Sequence, residues 1–386
     1  MESVKSTTRK VPENLGFWQR GKMDIGFLSL VLILLTVGLV MLFSASYAYS
    51  YAYMNNSYHF ILRQSVFAVV GVILMLFVSK INYNIYKKFA WAIYILSNVL
   101  LVILLILPPM VKGMDVKRWL VLGPINFQPS ELAKFSVILL FSTLIAKNYN
   151  KMKTFKYGIL RFAVLLGITC GLVVVEPHFS ATILIFIIGV VLMIVGGIKL
   201  RYVFGGALVA VAGGILAIAT NLISYGGSRI AYWLDPWKDA SGKGYQTIQS
   251  LLAIGSGEIM GKGFGKSRQK YLWVPEPHND FIFSIVCEEL GLIGALIIIF
   301  LFCALVWRGF IIAMRSPDKF GSLMAVGLTF QVGLQAALNI LVVTNTVPNT
   351  GISLPFFSYG GTALLILLVQ MGIVLSISRS SNMTKT

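Results

Sequence analysis

The stretch Val274–Gly291, VPEPHNDFIFSIVCEELG, sets Glu276, His278, Asp280, Glu288 and Glu289 at the head of a long apolar run. Pro275 and Pro277 forbid a regular helix upstream of Asp280, whereas Phe281 to Trp307 is long enough to cross a bilayer. A helix over those residues would be roughly 40 Å long, against a hydrocarbon core of about 30 Å. Its first turns therefore have room to lie at or above the interface, with all five side chains near one membrane surface. Two readings follow. Either Asp280 caps the helix and the glutamates pair with basic neighbours, or the acids form a reactive site at the junction of a polar loop and a membrane helix.

Outward from this stretch, the composition excludes a soluble globular protein: 57% of the 386 residues are hydrophobic and 12% charged, about half the charged share of a soluble domain. Mean hydropathy is +0.82. The apolar runs predict an all-α, polytopic membrane protein of ten transmembrane helices. These spans are residues 25–46, 60–78, 89–107, 130–146, 158–175, 179–195, 202–223, 281–307, 322–343 and 359–377. The first run is too long for the apolar core of a signal peptide. The domain reading is a cytoplasmic tail at 1–22, one transmembrane domain at 23–379 and a second short tail at 380–386. A long loop, 224–280, separates spans seven and eight.

Basic residues assign the sides. With ten spans both termini share a face, and twenty of the 32 Lys and Arg residues then fall in the tails and loops of that face. Both termini are therefore expected to be cytoplasmic, and the long loop and the acid cluster extracytoplasmic. The net charge of +18 is dispersed between apolar segments, with no continuous basic face for nucleic acid. The glycine-rich run from Gly255 to Gly265 ends Gly-Lys-Ser, but Met260 stands where a phosphate loop needs its first glycine, so a flexible surface loop is expected. Gly167 and Gly171 have the spacing of a close helix contact.

Charges inside a span cost roughly 2.5 to 3.5 kcal/mol each and call for a partner or a function. Span four opens Gln128-Pro-Ser-Glu131-Leu-Ala-Lys134, where Glu131 and Lys134, at i and i+3, can neutralise each other. Lys117 and Arg118 in the preceding loop, and Arg63 in span two, lie on the same side as Asp280. Acids and fixed cations gathered there suit a lipid-linked anion with hydroxyls to be deprotonated. His59, His178 and His278 come from separate loops without ligand spacing, so no dedicated metal site is read.

These residues resemble the SEDS proteins (shape, elongation, division and sporulation) of the FtsW, RodA and SpoVE type. The resemblance runs from Leu42-Phe-Ser-Ala-Ser46 through Arg118-Trp-Leu120 and Gln128–Lys134. It continues through Asp235-Pro-Trp237, Gly244-Tyr-Gln246 and Val274–Gly291 to Pro355-Phe-Phe-Ser-Tyr-Gly-Gly-Thr362. Departures are Glu176-Pro-His178-Phe-Ser180, where the family usually has Asp after the proline, Gly257-Glu258 for Gly-Gly, and Asn279 for threonine.

The resemblance implies a peptidoglycan glycosyltransferase that polymerises lipid II at the outer face of the bacterial cytoplasmic membrane. Its expected partners are a class B penicillin-binding protein and other division or sporulation membrane proteins. The block from Asp235 to Ser250 leans toward the division and sporulation branch. Asp280 matches the family's essential acid, and Glu131 and Lys134 match its charged pair. Asp280 would take the proton of the acceptor 4-hydroxyl. Glu131, Lys134, Arg118, Lys117 and Arg63, with Glu276, His278 and Glu288, would bind the substrate. A divalent cation, magnesium or manganese, is compatible with a diphosphate leaving group. A flippase or transporter of lipid II, and a non-catalytic scaffold for a penicillin-binding protein, are the competing readings.

Overall fold

The computed structural model describes residues 16–107, 118–123, 125–202, 205, 232–242 and 244–383. Its helices are α1 (Ile25–Met54), α2 (His59–Val78), α3 (Tyr86–Ile106), α4 (Pro129–Lys147), α5 (Arg161–Val175), α6 (Phe179–Val195), α7 (Tyr245–Ser256), α8 (Ile282–Met314), α9 (Lys319–Val343) and α10 (Gly361–Met383). Among the described residues eight helical segments are long and apolar enough to cross a membrane, and α6 is a shorter apolar helix. The chain is thus a helical, multi-pass membrane protein. The seventh expected span lies outside the described residues apart from Tyr202 and Gly205.

α4 occupies the centre. Of its most apolar window 78% is buried, against 28% to 39% for α1, α2, α3, α5 and α8. The outer helices leave wide apolar faces exposed, as helices facing lipid do. The neighbours of α4 are α3, α6 and α9; α2 packs on α10, and α8 on α1 and α9. One end of the bundle is tied by the chain's two extremities: Asp24 caps α1 and pairs with Arg308 of α8 at 3.0 Å, and the Asp24 amide donates to Ser378 Oγ of α10. Lys87 and Tyr83 meet Asp318 at the same end.

The structure departs from the sequence reading in five places. α1 continues to Met54, eight residues beyond the expected stop, because the Tyr-Ala-Tyr-Ser-Tyr-Ala-Tyr run contains no breaker before Asn55, whose φ of 51° ends the helix. At 30 residues α1 is about 45 Å long and overshoots a hydrocarbon core of about 30 Å. Residues 120–122 and 125–127, expected to be loop, form a two-stranded antiparallel ribbon, β1 (Leu120–Leu122) and β2 (Ile125–Phe127), which Thr362 anchors through Asn126 O.

α8 is not one rod. Gly291 has φ 68°, ψ −169°, so a nine-residue half-helix, 282–290, precedes a segment of 23 residues that alone is roughly 34 Å long. The break frees backbone groups, and the glycine-rich run takes them up: Lys262 N donates to Glu288 O at 2.9 Å and Gly263 N to Glu289 O at 3.0 Å, while Leu292 N donates to Glu258 O at 2.9 Å. The run from Gly257 to Gly263 is therefore a docked strap, where a flexible loop was expected. Only glycine admits that approach, since a Cβ on Gly291 would sit 2.3 Å from Gly261 N. Finally, a Cβ on Gly167 or Gly171 would meet nothing within 4 Å, so these glycines make no helix contact among the described residues.

Candidate active site

Asp280 ends the non-helical segment before α8, partly exposed at the end of the bundle away from the tied extremities. Three donor groups hold the backbone around it. Asn339 of α9 donates through Nδ2 to Asp280 O at 2.7 Å and to Ile352 O at 2.6 Å. Ser358 Oγ donates to Asn279 O at 2.7 Å, and Tyr359 N donates to His278 O at 2.9 Å. The carboxylate lies beside Gly351, where a Cβ would stand 3.1 Å from Oδ2, and accepts no hydrogen bond among the described residues. Burial and the neighbouring Glu276 charge raise its proton affinity from the ordinary carboxylate value to about 6, while the Arg118 guanidinium opposes the rise.

Glu131 and Lys134 join this centre indirectly. Lys134, 1% exposed, donates to Glu131 Oε1 at 2.7 Å and to Gln335 Oε1 at 3.1 Å. Gln335 Nε2 then donates to Ser353 O at 3.1 Å. Gln335 and Asn339 are one turn apart on α9, so the same helix face connects the charged pair of α4 to the Asp280 segment through residues 352–353. A cavity of about 40 Å³, room for a few waters, lies between Glu131, Gln335 and the Pro355–Gly360 loop.

Arg118 reaches the α5–α6 turn, donating to Pro177 O at 2.6 Å. There Glu176 is 1% exposed, and burial lifts its carboxyl to about 8 against the pull of Arg118. His178 is buried beside Ser130 and pushed down to about 3, first by burial and then by the Arg118 and Lys134 charges. At neutral pH this turn is therefore largely uncharged.

The other sequence candidates are placed differently. His278 packs in an aromatic box of Tyr49, Phe60 and Tyr359, with ring centroids at 4.8, 4.3 and 6.1 Å, and burial lowers its proton affinity to about 4. It braces the loop as a neutral ring. Glu288 is wholly buried and accepts from Lys262 Nζ at 2.7 Å, Arg268 N at 3.0 Å, Gln269 N at 3.2 Å and Ser267 Oγ, so its carboxylate is saturated by protein donors. Glu289 likewise holds Lys270 at 2.9 Å and Ser44 at 2.7 Å. Glu276 accepts from Asn279 Nδ2 at 2.9 Å beside Asp280. Arg63 is exposed in the first turns of α2, and Lys117 lies outside the described residues. Among the described residues no three His, Cys, Asp or Glu side chains gather at one point.

Sequence reasoning missed Gln335, Asn339 and Ser358. Their signal was present: Gln331, Gln335 and Asn339 recur every four residues on an otherwise apolar helix, the mark of a polar stripe facing protein.

Residues 26–383 match the family described as cell cycle protein, that of FtsW, RodA and SpoVE. The chain belongs to this family. Among its FtsW-type relatives, the probable peptidoglycan glycosyltransferase FtsW of Geobacter sp. (strain M18) is 35% identical, the match covering 92% of this chain and 96% of that one. The stage V sporulation protein E of Bacillus subtilis (strain 168) is 36% identical over 93% and 97%. A chain from a peptidoglycan synthase complex superposes with TM-score 0.78 at 28% identity, covering 93% of this chain and 98% of that chain. RodA, the rod shape determining protein of Thermus thermophilus, superposes with TM-score 0.67 at 26% identity over 92% and 97%. The match to FtsW, RodA and SpoVE proteins thus spans the bundle, the strap and the Asp280 segment alike.

Proposed function

We propose that this chain is a peptidoglycan glycosyltransferase that polymerises lipid II into glycan strands. Near-full-length similarity to a probable peptidoglycan glycosyltransferase and to a sporulation protein supports the activity. The observation that carries the chemistry is Asp280: a carboxylate raised to about 6, strapped at the head of a membrane helix, and accepting no hydrogen bond among the described residues. Such a group is poised to accept a proton at neutral pH.

In the reaction Asp280 takes the proton of the acceptor sugar's 4-hydroxyl. That oxygen forms the new bond to the donor's anomeric carbon as the bond from that carbon to polyprenyl diphosphate breaks. Arg118 supplies positive charge beside Asp280 for the departing diphosphate, and Arg63 and Lys117 would serve the same anion. Lys134, buried against Glu131 and Gln335, orients the loop that carries Gly351 and Ser353. No group of three His, Cys, Asp or Glu side chains gathers among the described residues, so the protein side chains do not form a cage for a divalent cation and no step is assigned to one. One positioned base supplies about 10² to 10⁴ in rate, and orientation and charge stabilisation must supply the rest.

The site faces outward from the bacterial cytoplasmic membrane in this reading, because the opposite end carries the tails and most of the basic loops. The cross-linking partner is a class B penicillin-binding protein, a pairing supported by similarity to a chain of a peptidoglycan synthase complex, and the process served is division or sporulation. The test is polymerisation of lipid II in detergent micelles, with and without the partner. Wild type should make long strands. Asp280 makes no capping bond, so Asp280→Asn, which keeps the size of the side chain and removes its charge, should fold and bind the partner yet lose at least about two orders of magnitude in rate. Wild-type strand yield from a folded Asp280→Asn variant removes the base assignment. Movement of unaltered lipid II across a bilayer, with no polymer in micelles, replaces the enzyme with a carrier.

A further inference from the structure

The outer turns of α1 carry an alternation, Tyr47-Ala-Tyr49-Ser-Tyr51-Ala-Tyr53, that the catalytic reading does not use. On a helix, Tyr49 and Tyr53 share one face and Tyr47 and Tyr51 another. The first pair looks toward the site: the Tyr49 ring lies 4.5 Å from Tyr53 and 4.8 Å from His278, two residues from Asp280. The second pair opens outward. Tyr47 and Tyr51, 42% and 65% exposed, line a surface cleft of about 300 Å³ with Ala48, Tyr271 and Leu272.

The cleft lies at the level of the membrane interface, where tyrosines gather, and one of its walls runs on to the site. α1 starts at Ile25, and about 20 residues of helix cross the hydrocarbon, so Tyr47 and Tyr51 stand at or beyond its far boundary. Its second wall, Tyr271 and Leu272, belongs to the polar segment that runs on to Asp280. One helix and one loop thus contribute to both the cleft and the site. The volume is at the small end of ligand pockets, about 300 Å³ upward, and is enough for one or two sugar rings. Rings exposed at the mouth of an open, largely apolar cleft offer flat faces for the C–H faces of a pyranose, while the tyrosine hydroxyls are placed to meet sugar hydroxyls. Lys266 and Arg268, exposed in the chain just before Tyr271, add positive charge suited to the carboxylates that hang from a peptidoglycan strand.

Resting on the glycosyltransferase reading, we propose that the cleft of Tyr47, Tyr51 and Tyr271 is a glycan-binding subsite that holds the strand beyond the reacting sugars and keeps it on the enzyme between additions. The subsite would govern strand length and leave the chemical step to Asp280.

The direct experiment puts the full chain in lipid nanodiscs and uses, as probe, tetrasaccharides of alternating N-acetylhexosamines cleaved from peptidoglycan and free of lipid and peptide. Saturation-transfer NMR should show contact with the sugar ring protons. Binding should weaken by about tenfold in Tyr51→Ala/Tyr271→Ala and be retained in the corresponding Phe pair. In lipid II polymerisation the Ala pair should shorten the strands severalfold while the initial rate stays within about twofold of wild type. No tetrasaccharide contact in wild type, equal contact in the Ala pair, or displacement by polyprenyl phosphate alone would each overturn the subsite, the last by identifying a lipid-tail groove. Because tetrasaccharide binding needs no turnover, a chain that binds the sugar through these tyrosines but makes no polymer retracts the enzyme reading and leaves the subsite standing.

Discussion

Asp280 is set by two opposed neighbours, and this gives its titration a sign that can be checked. A base works unprotonated, so polymerisation measured as kcat/KM should fall on the acid side with an apparent pKa near 6, about tenfold lower at pH 5 than at pH 7. Glu276 raises that value and Arg118 lowers it. Glu276→Gln should therefore move the acid limb to lower pH and Arg118→Ala to higher pH, whatever either change does to the height of the profile. Limbs that stay fixed, or move together, would exclude Asp280 as the titrating base. Asp280 itself was legible in the sequence because two prolines, an acid and an apolar run leave little choice about where it sits. Asn339 was harder to read: its bond to Asp280 O bridges 59 positions of sequence, and an amide in a membrane helix announces a partner without saying which.

At the scale of elements, hydropathy located the spans because lipid imposes one length and one polarity on every crossing. It could not show the break in α8, since Leu-Gly-Leu-Ile-Gly reads as continuous helix and the cause lies 30 residues upstream. Gly257 and Gly261 must lie against Cys287–Gly291 before Gly291 can leave helical geometry at no cost in unpaired backbone. Gly257 and Gly261 are thus explained by contact, and Glu288 and Glu289 are held by Lys262 and Lys270. Gly291→Ala would combine a left-handed φ, worth about 1–3 kcal/mol for a residue with a side chain, with a clash against Gly261 N. The thermal midpoint should drop and proteolysis within 257–275 should rise. Gly167→Ala, where a Cβ meets nothing inside a helix, is the control and should leave the proteolysis unchanged and the midpoint the same or slightly higher. An Ala variant at 291 as stable and as resistant as wild type would mean that the strap does not depend on the break.

For the whole molecule the argument is one of parity. Gln19 bonds Ser380, Asp24 bonds Ser378, and Arg379 donates to Gly21 O, so the first and last described segments meet at one end of the bundle. The chain must then cross an even number of times. Eight long apolar segments and α6 make nine among the described residues. Gly196, which packs against Ile145 of α4, and Trp233, which bonds Asn345 beyond the C-terminus of α9, flank the residues outside that count, and the span expected at 202–223 falls among them. Charge gives the expected orientation: the tied end carries Lys80, Lys87, Lys88 and Arg308, and the positive-inside rule expects such residues on the cytoplasmic side. A reporter fused after Thr386 should therefore be cytoplasmic, and one inserted at Gly242 should be external, the latter by protease access to intact spheroplasts. Because Asp280 and Gly242 share the site end, the two readouts test more than a count of helices. If both reporters were cytoplasmic, the parity argument would fail. If they were reversed, Asp280 would face the cytoplasm, and an enzyme acting on substrate at the outer leaflet would have no base where its acceptor sugar lies.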